Sequence, residues 1–189
     1  MSFQILSGEW KGRTLQSPPS STTRPTQGIL RQAVFNICQL QIVDACFLDL
    51  FAGSGAMGLE ALSRGAKRAL FVEQDRMAIR CINENIRTLT AHDRAEVLSM
   101  DVLRALNYLT RRKESFDIVY IDPPYDLAPE VTSQAIEALE RDRLILPGAL
   151  VFFEESSTAA EFSIPSTKLQ KISRRQFGSA RLIQFALLH

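Results

Sequence analysis

Asp122-Pro123-Pro124-Tyr125 is the segment of this chain best suited to chemistry. Two successive prolines fix φ and remove two amide donors. They leave a rigid set of acceptors, the Asp122 carboxylate and the neighbouring carbonyls, beside the flat ring of Tyr125. The exocyclic amino group of a nucleic-acid base carries two N–H donors and a lone pair delocalised into its ring. Two fixed acceptors bind both hydrogens, turn the nitrogen toward tetrahedral geometry and free the lone pair. Tyr125 stacks on the base. The nitrogen is then placed to attack an electrophilic methyl group in line, a step in which positioning supplies much of the rate. Asp122 need not deprotonate the amine first, because the proton leaves after transfer, when the nitrogen has become cationic. In isolation the same four residues read as a turn that ends a strand.

A second group points to the methyl donor. In DLFAGSGAMGLEALSRGA, residues 49–66, the glycines Gly53, Gly55 and Gly58 match G-x-G-x-x-G. Such glycines let the chain turn sharply and let a ligand lie against bare backbone, here at Phe51, Gly53, Ser54 and Gly55. Asp49, just ahead of the loop, discriminates between ligands. A carboxylate there repels a pyrophosphate, and burying it alone is costly. A ligand with an ammonium and a sulfonium offsets that cost, and S-adenosylmethionine (SAM) has both. Asp49 could instead cap loop amides. Glu73 ends the next strand, where a carboxylate accepts from both ribose hydroxyls, in SAM as in a nicotinamide dinucleotide. Asp101, followed by Val102, is placed to accept from the adenine amino group. It is equally a good N-cap for the helix that follows.

These residues need a scaffold that brings them together. From residue 45 onward, short apolar runs alternate with helical stretches. CFLDLF, RALFVE, AEVLS, FDIVYID and ALVFFE read as strands. GLEALSRG, RMAIRCINENIRTL, VLRALNYLTRR and PEVTSQAIEALERD carry helical periodicity. Strands this apolar, separated by helices, imply βαβ units and a parallel sheet covered on both faces. The Asp122 strand is expected beside the glycine-loop strand, at the sheet edge where open α/β sheets bind ligands. Residues 168–188 predict an antiparallel hairpin turning at Phe177-Gly178-Ser179, closing one edge. Near the start, FQIL, a Ser7-Gly8-Glu9 turn and KGRTLQ predict another hairpin. A Ser/Pro/Thr-rich loop then leads into a helix with Ile29, Leu30, Ala33, Val34, Ile37 and Leu40 at helical spacing. The expected division is an N-terminal extension, residues 1–27, and a catalytic domain, residues 28–189.

Composition fits that plan. The 189 residues are 46% hydrophobic and 23% charged, as in an ordinary globular protein. No apolar run is long enough to span a bilayer, and no secretory signal opens the chain, so a cytoplasmic protein is expected. Three cysteines without a CxxC pair and two histidines argue against disulfides and against a metal site. The net charge of +1 is unevenly spread. Residues 164–189 hold five basic residues and no acid, and residues 1–31 hold four basic residues and one acid. Basic termini around an acidic centre suit a polyanion, because phosphate contacts need local rather than global charge. Lys11, Arg13, Arg24, Arg31, Arg174 and Arg175 are the candidate phosphate contacts.

The glycine-loop and Asp-Pro-Pro-Tyr segments resemble those of Rossmann-like class I methyltransferases that modify amino groups. Arg24, Pro25, Thr26, Arg31, Val34, Phe35 and Asn36, with GEWKGR, VFFEES and FGSARL, narrow the likeness. Together they resemble the bacterial small-subunit ribosomal RNA guanine-N2 methyltransferases over almost the whole chain. Between Thr26 and Val34, Gln27, Gly28, Ile29 and Gln32 stand where that family is usually more charged. The resemblance implies a seven-stranded, mainly parallel sheet with an antiparallel C-terminal hairpin, helices on both faces and an N-terminal β-hairpin. It implies an enzyme that uses SAM to methylate a guanine presented by a partly assembled subunit, and a monomer is expected.

Other functions explain less. An adenine-N6 DNA enzyme shares the chemistry, but little chain is left for a target-recognition domain. A protein glutamine methyltransferase more often carries Asn at the Asp122 position. An NAD-dependent oxidoreductase leaves Asp49 and Asp122-Tyr125 unexplained, and a non-catalytic RNA-binding module accounts for the basic termini alone.

Overall fold

The computed structural model describes residues 2–18, 25–124, 129–159 and 168–187. A small antiparallel hairpin, β1 (Ser2–Gln4) and β2 (Thr14–Gln16), precedes α1 (Pro25–Ile37). The elements β3 (Cys46–Leu50), α2 (Ala56–Ser63), β4 (Arg68–Glu73), α3 (Arg76–Leu89) and β5 (Ala95–Ser99) follow. Then come α4 (Val102–Arg111), β6 (Phe116–Ile121), α5 (Pro129–Arg141) and β7 (Ile145–Ser156). The chain ends on β8 (Leu169–Phe177) and β9 (Ala180–Leu187). The main sheet has seven strands in the order β5-β4-β3-β6-β7-β9-β8. The first five run parallel, and β9 is antiparallel to both β7 and β8. This is the expected Rossmann-like sheet with its antiparallel hairpin at one edge.

The helices form where the sequence gives them a start and an apolar face. Asp75 caps α3 by accepting from the Ala78 amide at 2.8 Å, and Ala78, Cys81, Ile82, Ile86 and Leu89 are buried. Asp101 caps α4 by accepting from the Arg104 amide at 3.0 Å, over a buried Val102, Ala105, Leu106 and Leu109. Each sheet face carries its own core. Phe47, Phe71, Tyr120 and Phe152 pack on one side, and Leu48, Leu70, Val119 and Phe153 on the other. The pattern of burial on both faces is what made these strands read as continuous apolar runs.

Four expected boundaries move. Helix α1 starts at Pro25 rather than Gly28, because proline's fixed φ suits a first helical turn. It ends at Ile37, and Leu40, expected on its apolar face, is 92% exposed. Strand β7 begins at Ile145, ahead of Pro147-Gly148; a register shift between Phe116 and Ile118 absorbs those residues as an irregularity in the ladder. The N-terminal hairpin does not turn tightly at Ser7-Gly8-Glu9. Its strands are three residues each, and residues 5–13 spread over the C-terminal half of α2.

Glu60 of α2, with no exposed surface, accepts from the amides of Leu6 (2.8 Å) and Ser7 (3.0 Å) and pairs with Arg64 at 2.8 Å. Glu9 donates its amide to the Ser63 carbonyl at 2.7 Å. Gly8 has φ +85°, and a Cβ there would lie 1.8 Å from the Ser63 oxygen. Ile5, Trp10 and Leu15 belong to the same core as α1, α2 and α3. The extension therefore shares the core of the domain that follows it.

Candidate active site

After β3 the chain proceeds outward through β4 and β5, and β6 then returns to pair with the other side of β3. The carboxyl ends of β3 and β6 thus flank a topological switch point, where open α/β sheets bind ligands. A cleft of about 1490 Å³ opens there. That exceeds the roughly 300–1,000 Å³ usual for one small ligand, so it has room for a methyl donor and a base. Asp49, Phe51, Gly53, Ser54, Glu73, Asp101, Val102, Asp122, Pro123 and Pro124, singled out from the sequence, all line it.

Positive φ values of 65° at Phe51, 56° at Gly53 and 78° at Gly55 shape the glycine loop. A non-glycine in that region is uncommon, and such strain concentrates at functional sites. A Cβ on Gly53 would meet nothing within 4 Å, so the backbone is bare toward the cleft. Gly58 serves packing instead, since a Cβ there would fall 2.3 Å from the Phe71 ring. Gly55 does not line the cleft as expected. Its place is the turn itself, with its Cβ position against Ile82 and Leu59.

Asp49 is 2% exposed, and its Oδ2 accepts from the Gly58 amide at 3.0 Å. Burial raises its pKa well above the usual carboxylate range, the Gly58 hydrogen bond opposes that rise, and the nearby Glu73 adds to it. The loop-capping alternative is therefore present, in a group still short of positive charge. Glu73 accepts from the Gly53 amide and from those of Gln74 and Asp75, all at 2.8 Å. Asp101 caps α4, yet its side chain stays 42% exposed at the cleft. The three acids are held by backbone amides along one wall.

Asp122 follows β6, and its amide donates to the Leu50 carbonyl of β3 at 3.4 Å. Its side chain is open to the cleft yet set among protein atoms. That surrounding mass raises its pKa well above the usual range, and Glu154 and then Asp49 add to the rise. Tyr125 lies outside the described residues.

The sequence reading missed two residues here. Tyr120 of β6 is 3% exposed and donates its hydroxyl to Glu154 Oε2. Glu154 is half-buried, with its pKa raised by burial and lowered by the Tyr120 bond. Both line the cleft. Alternation along β7 hints at Glu154, which shares a face with Phe152, but only the pairing with β6 brings it to Asp122.

The candidate phosphate contacts separate. Arg31 is 6% exposed, donates to the Gln4 carbonyl at 2.6 Å, lies 3.6 Å from Glu60 and covers the Phe3 ring, and it lines the cleft. Lys11 and Arg13 are exposed but do not line the cleft, and Arg13 turns to the Thr88 carbonyl near the far end of α3. Arg174 and Arg175 lie on β8 toward the cleft end of the sheet, and Arg174 pairs with Glu155 at 3.7 Å. Arg24 lies outside the described residues. No helix among the described residues is long and apolar enough to cross a membrane.

Known proteins agree with this architecture. Ribosomal RNA small subunit methyltransferase D of Escherichia coli (strain K12) is 38% identical over 152 residues, covering 80% of this chain and 74% of the relative. Its Haemophilus influenzae namesake is 35% identical over 152 residues, covering 80% and 77%. The solved structure of Escherichia coli yhhF, described as a methyltransferase, superposes with a TM-score of 0.84 at 30% identity, covering 100% of this chain and 99% of that one. The model of the family described as Conserved hypothetical protein 95 matches residues 3–186, and this chain belongs to that family.

Proposed function

We propose that this protein transfers a methyl group from SAM to the exocyclic N2 of a guanine in small-subunit ribosomal RNA, presented by a partly assembled subunit. The observation that carries this reading is the convergence of the Asp49 glycine loop and Asp122 on one cleft, at the ends of paired strands. The curated relatives named as small-subunit ribosomal RNA methyltransferases support the substrate class.

The residues present fit a cationic adenosine ligand. Asp49 is a buried carboxylate whose only hydrogen bond among the described residues is to Gly58, and a positive charge beside it relieves the cost of burial. Glu73 and Asp101 stand further along the same wall with acceptor oxygens for hydroxyl and amino donors. SAM supplies an electrophilic methyl on a sulfonium.

Asp122 and the carbonyls around Pro123 and Pro124 accept the two N–H bonds of the amine, which frees the nitrogen lone pair. With SAM bound there, the nitrogen would take the methyl as the carbon–sulfur bond breaks, the electron pair of that bond staying on sulfur. The nitrogen, now cationic, loses a proton. Asp122 is suited to take it, because its surroundings raise its pKa and so its basicity.

Labelled SAM incubated with unmodified small subunits, naked RNA and DNA tests the reading. The label should appear on N2 of a guanine in small-subunit RNA. Label on adenine N6 or on protein would favour one of the competing readings instead.

A further inference from the structure

We infer that Glu154 selects guanine over adenine by accepting the N1–H of the target base beside Asp122. This rests on the function proposed above.

The sheet register sets the two carboxylates together. Ile121 pairs with Phe153, and Asp122 and Glu154 are the residues that follow at the carboxyl ends of these parallel strands. Tyr120 pairs with Phe152, so Tyr120, Asp122 and Glu154 fall on one face by alternation. The strand before them adds Asp49 in register with Tyr120. Both Asp122 and Glu154 line the cleft, and the charge of Glu154 raises the pKa of Asp122. An amine that is only to be methylated needs the Asp122 acceptors. A second carboxylate one strand away presents acceptor oxygens to the atom next to that amine.

In guanine that neighbouring atom is N1–H, a donor. In adenine, and in 2-aminopurine, it is a bare N1 lone pair. An ionised Glu154 bonds the first and repels the second. Sites built to hydrogen-bond a particular group reject analogues lacking it strongly, by up to roughly 10⁴–10⁵. Tyr120 fixes the orientation, because its hydroxyl donates to Oε2 while the Glu154 side chain still faces the cleft.

The test uses small-subunit RNA carrying guanine or 2-aminopurine at the mapped position. Both bases keep the 2-amino group, but only guanine has N1–H. Wild type should favour guanine by roughly 10²-fold or more in kcat/KM. In Glu154→Gln the amide oxygen stays with the Tyr120 hydroxyl, which turns the NH₂ toward the base. The guanine preference should then fall at least ~10-fold, with SAM affinity retained. A residue that merely holds Tyr120 would slow both substrates equally, and an unchanged ratio overturns the inference alone. If the variant does not fold, wild type decides, since equal transfer to both bases overturns it. No transfer to guanine RNA by wild type overturns the proposed function, and this inference with it.

Discussion

The amide of Gly58 and the carboxylate of Asp49 lie 3.0 Å apart across the glycine loop, the one hydrogen bond among the described residues to a side chain that is 2% exposed. That bond fixes the loop without neutralising the acid. Asp49→Asn keeps an oxygen for Gly58 and removes the charge. SAM affinity should fall by about 1–3 kcal/mol, as when a charge-assisted hydrogen bond is lost. Without SAM, the variant should unfold at higher denaturant than wild type near neutral pH. Calorimetry and denaturant titration check both, and unchanged SAM affinity in a folded variant would remove Asp49 from the donor site.

The raised carboxylates give the protein a pH signature. Asp49 and Asp122 have folded pKa values above those of the unfolded chain, about 3.9 for aspartate. The folded state therefore binds more protons in the window between the two values, and their contribution to stability is lost as pH rises through the folded pKa. A cationic ligand beside Asp49 favours its ionised form. SAM binding should release protons and tighten as pH rises through that window. Titration calorimetry in buffers of different ionisation enthalpy measures this directly, and net proton uptake would contradict it.

Glu60 has no exposed surface and is held by two amides, Arg64 and Arg31. Glu60→Ala strands Arg31 and frees two amides, so it should cost about 3–5 kcal/mol of stability, as when one partner of a buried pair is removed. Thermal unfolding reads the loss. Gly8→Ala should also destabilise, because its Cβ would collide with the Ser63 carbonyl at a positive φ. Wild-type stability in both variants would mean that the N-terminal segment is not anchored through α2.

Much of this was legible because strands and helices alternate so regularly. RMAIRCINENIRTL is α3 residue for residue, since Asp75 caps it and its apolar spacing is unbroken. The donor wall was legible because glycines and acids lie at or just past the carboxyl ends of strands, where local spacing fixes position. Non-local features were not. Arg31 reads as a surface cation beside Arg24, and only the fold closes Phe3, Gln4 and Glu60 around it. Lys11 and Arg13 read as candidate phosphate contacts, but the long connection across α2 carries them away from the cleft. Glu154 needed the register of β7 on β6, which Pro147-Gly148 disguised.

That separation of cations predicts where RNA phosphates bind. Arg175 sits on the exposed edge strand β8 toward the cleft end of the sheet, whereas Lys11 lies in the connection over α2. Arg175→Gln should weaken binding to small-subunit RNA and shallow the slope of log affinity against log salt by roughly 0.7–0.9. Lys11→Gln should move the slope less. Filter binding across a salt series measures both, and the reverse order would place the RNA on the opposite end of the molecule.

The central claim is that Asp122 acts on the amine and the Asp49 wall holds the donor. Single-turnover transfer from labelled SAM to small-subunit RNA, run with wild type and Asp122→Ala, tests it most directly, with SAM affinity measured alongside. Wild type should label N2 of a guanine. Asp122→Ala should bind SAM as wild type does and lose roughly 10²-fold or more of the transfer rate, the usual range for a positioned proton acceptor. Transfer by Asp122→Ala at the wild-type rate, or label on a site other than a base amino group, would contradict the account.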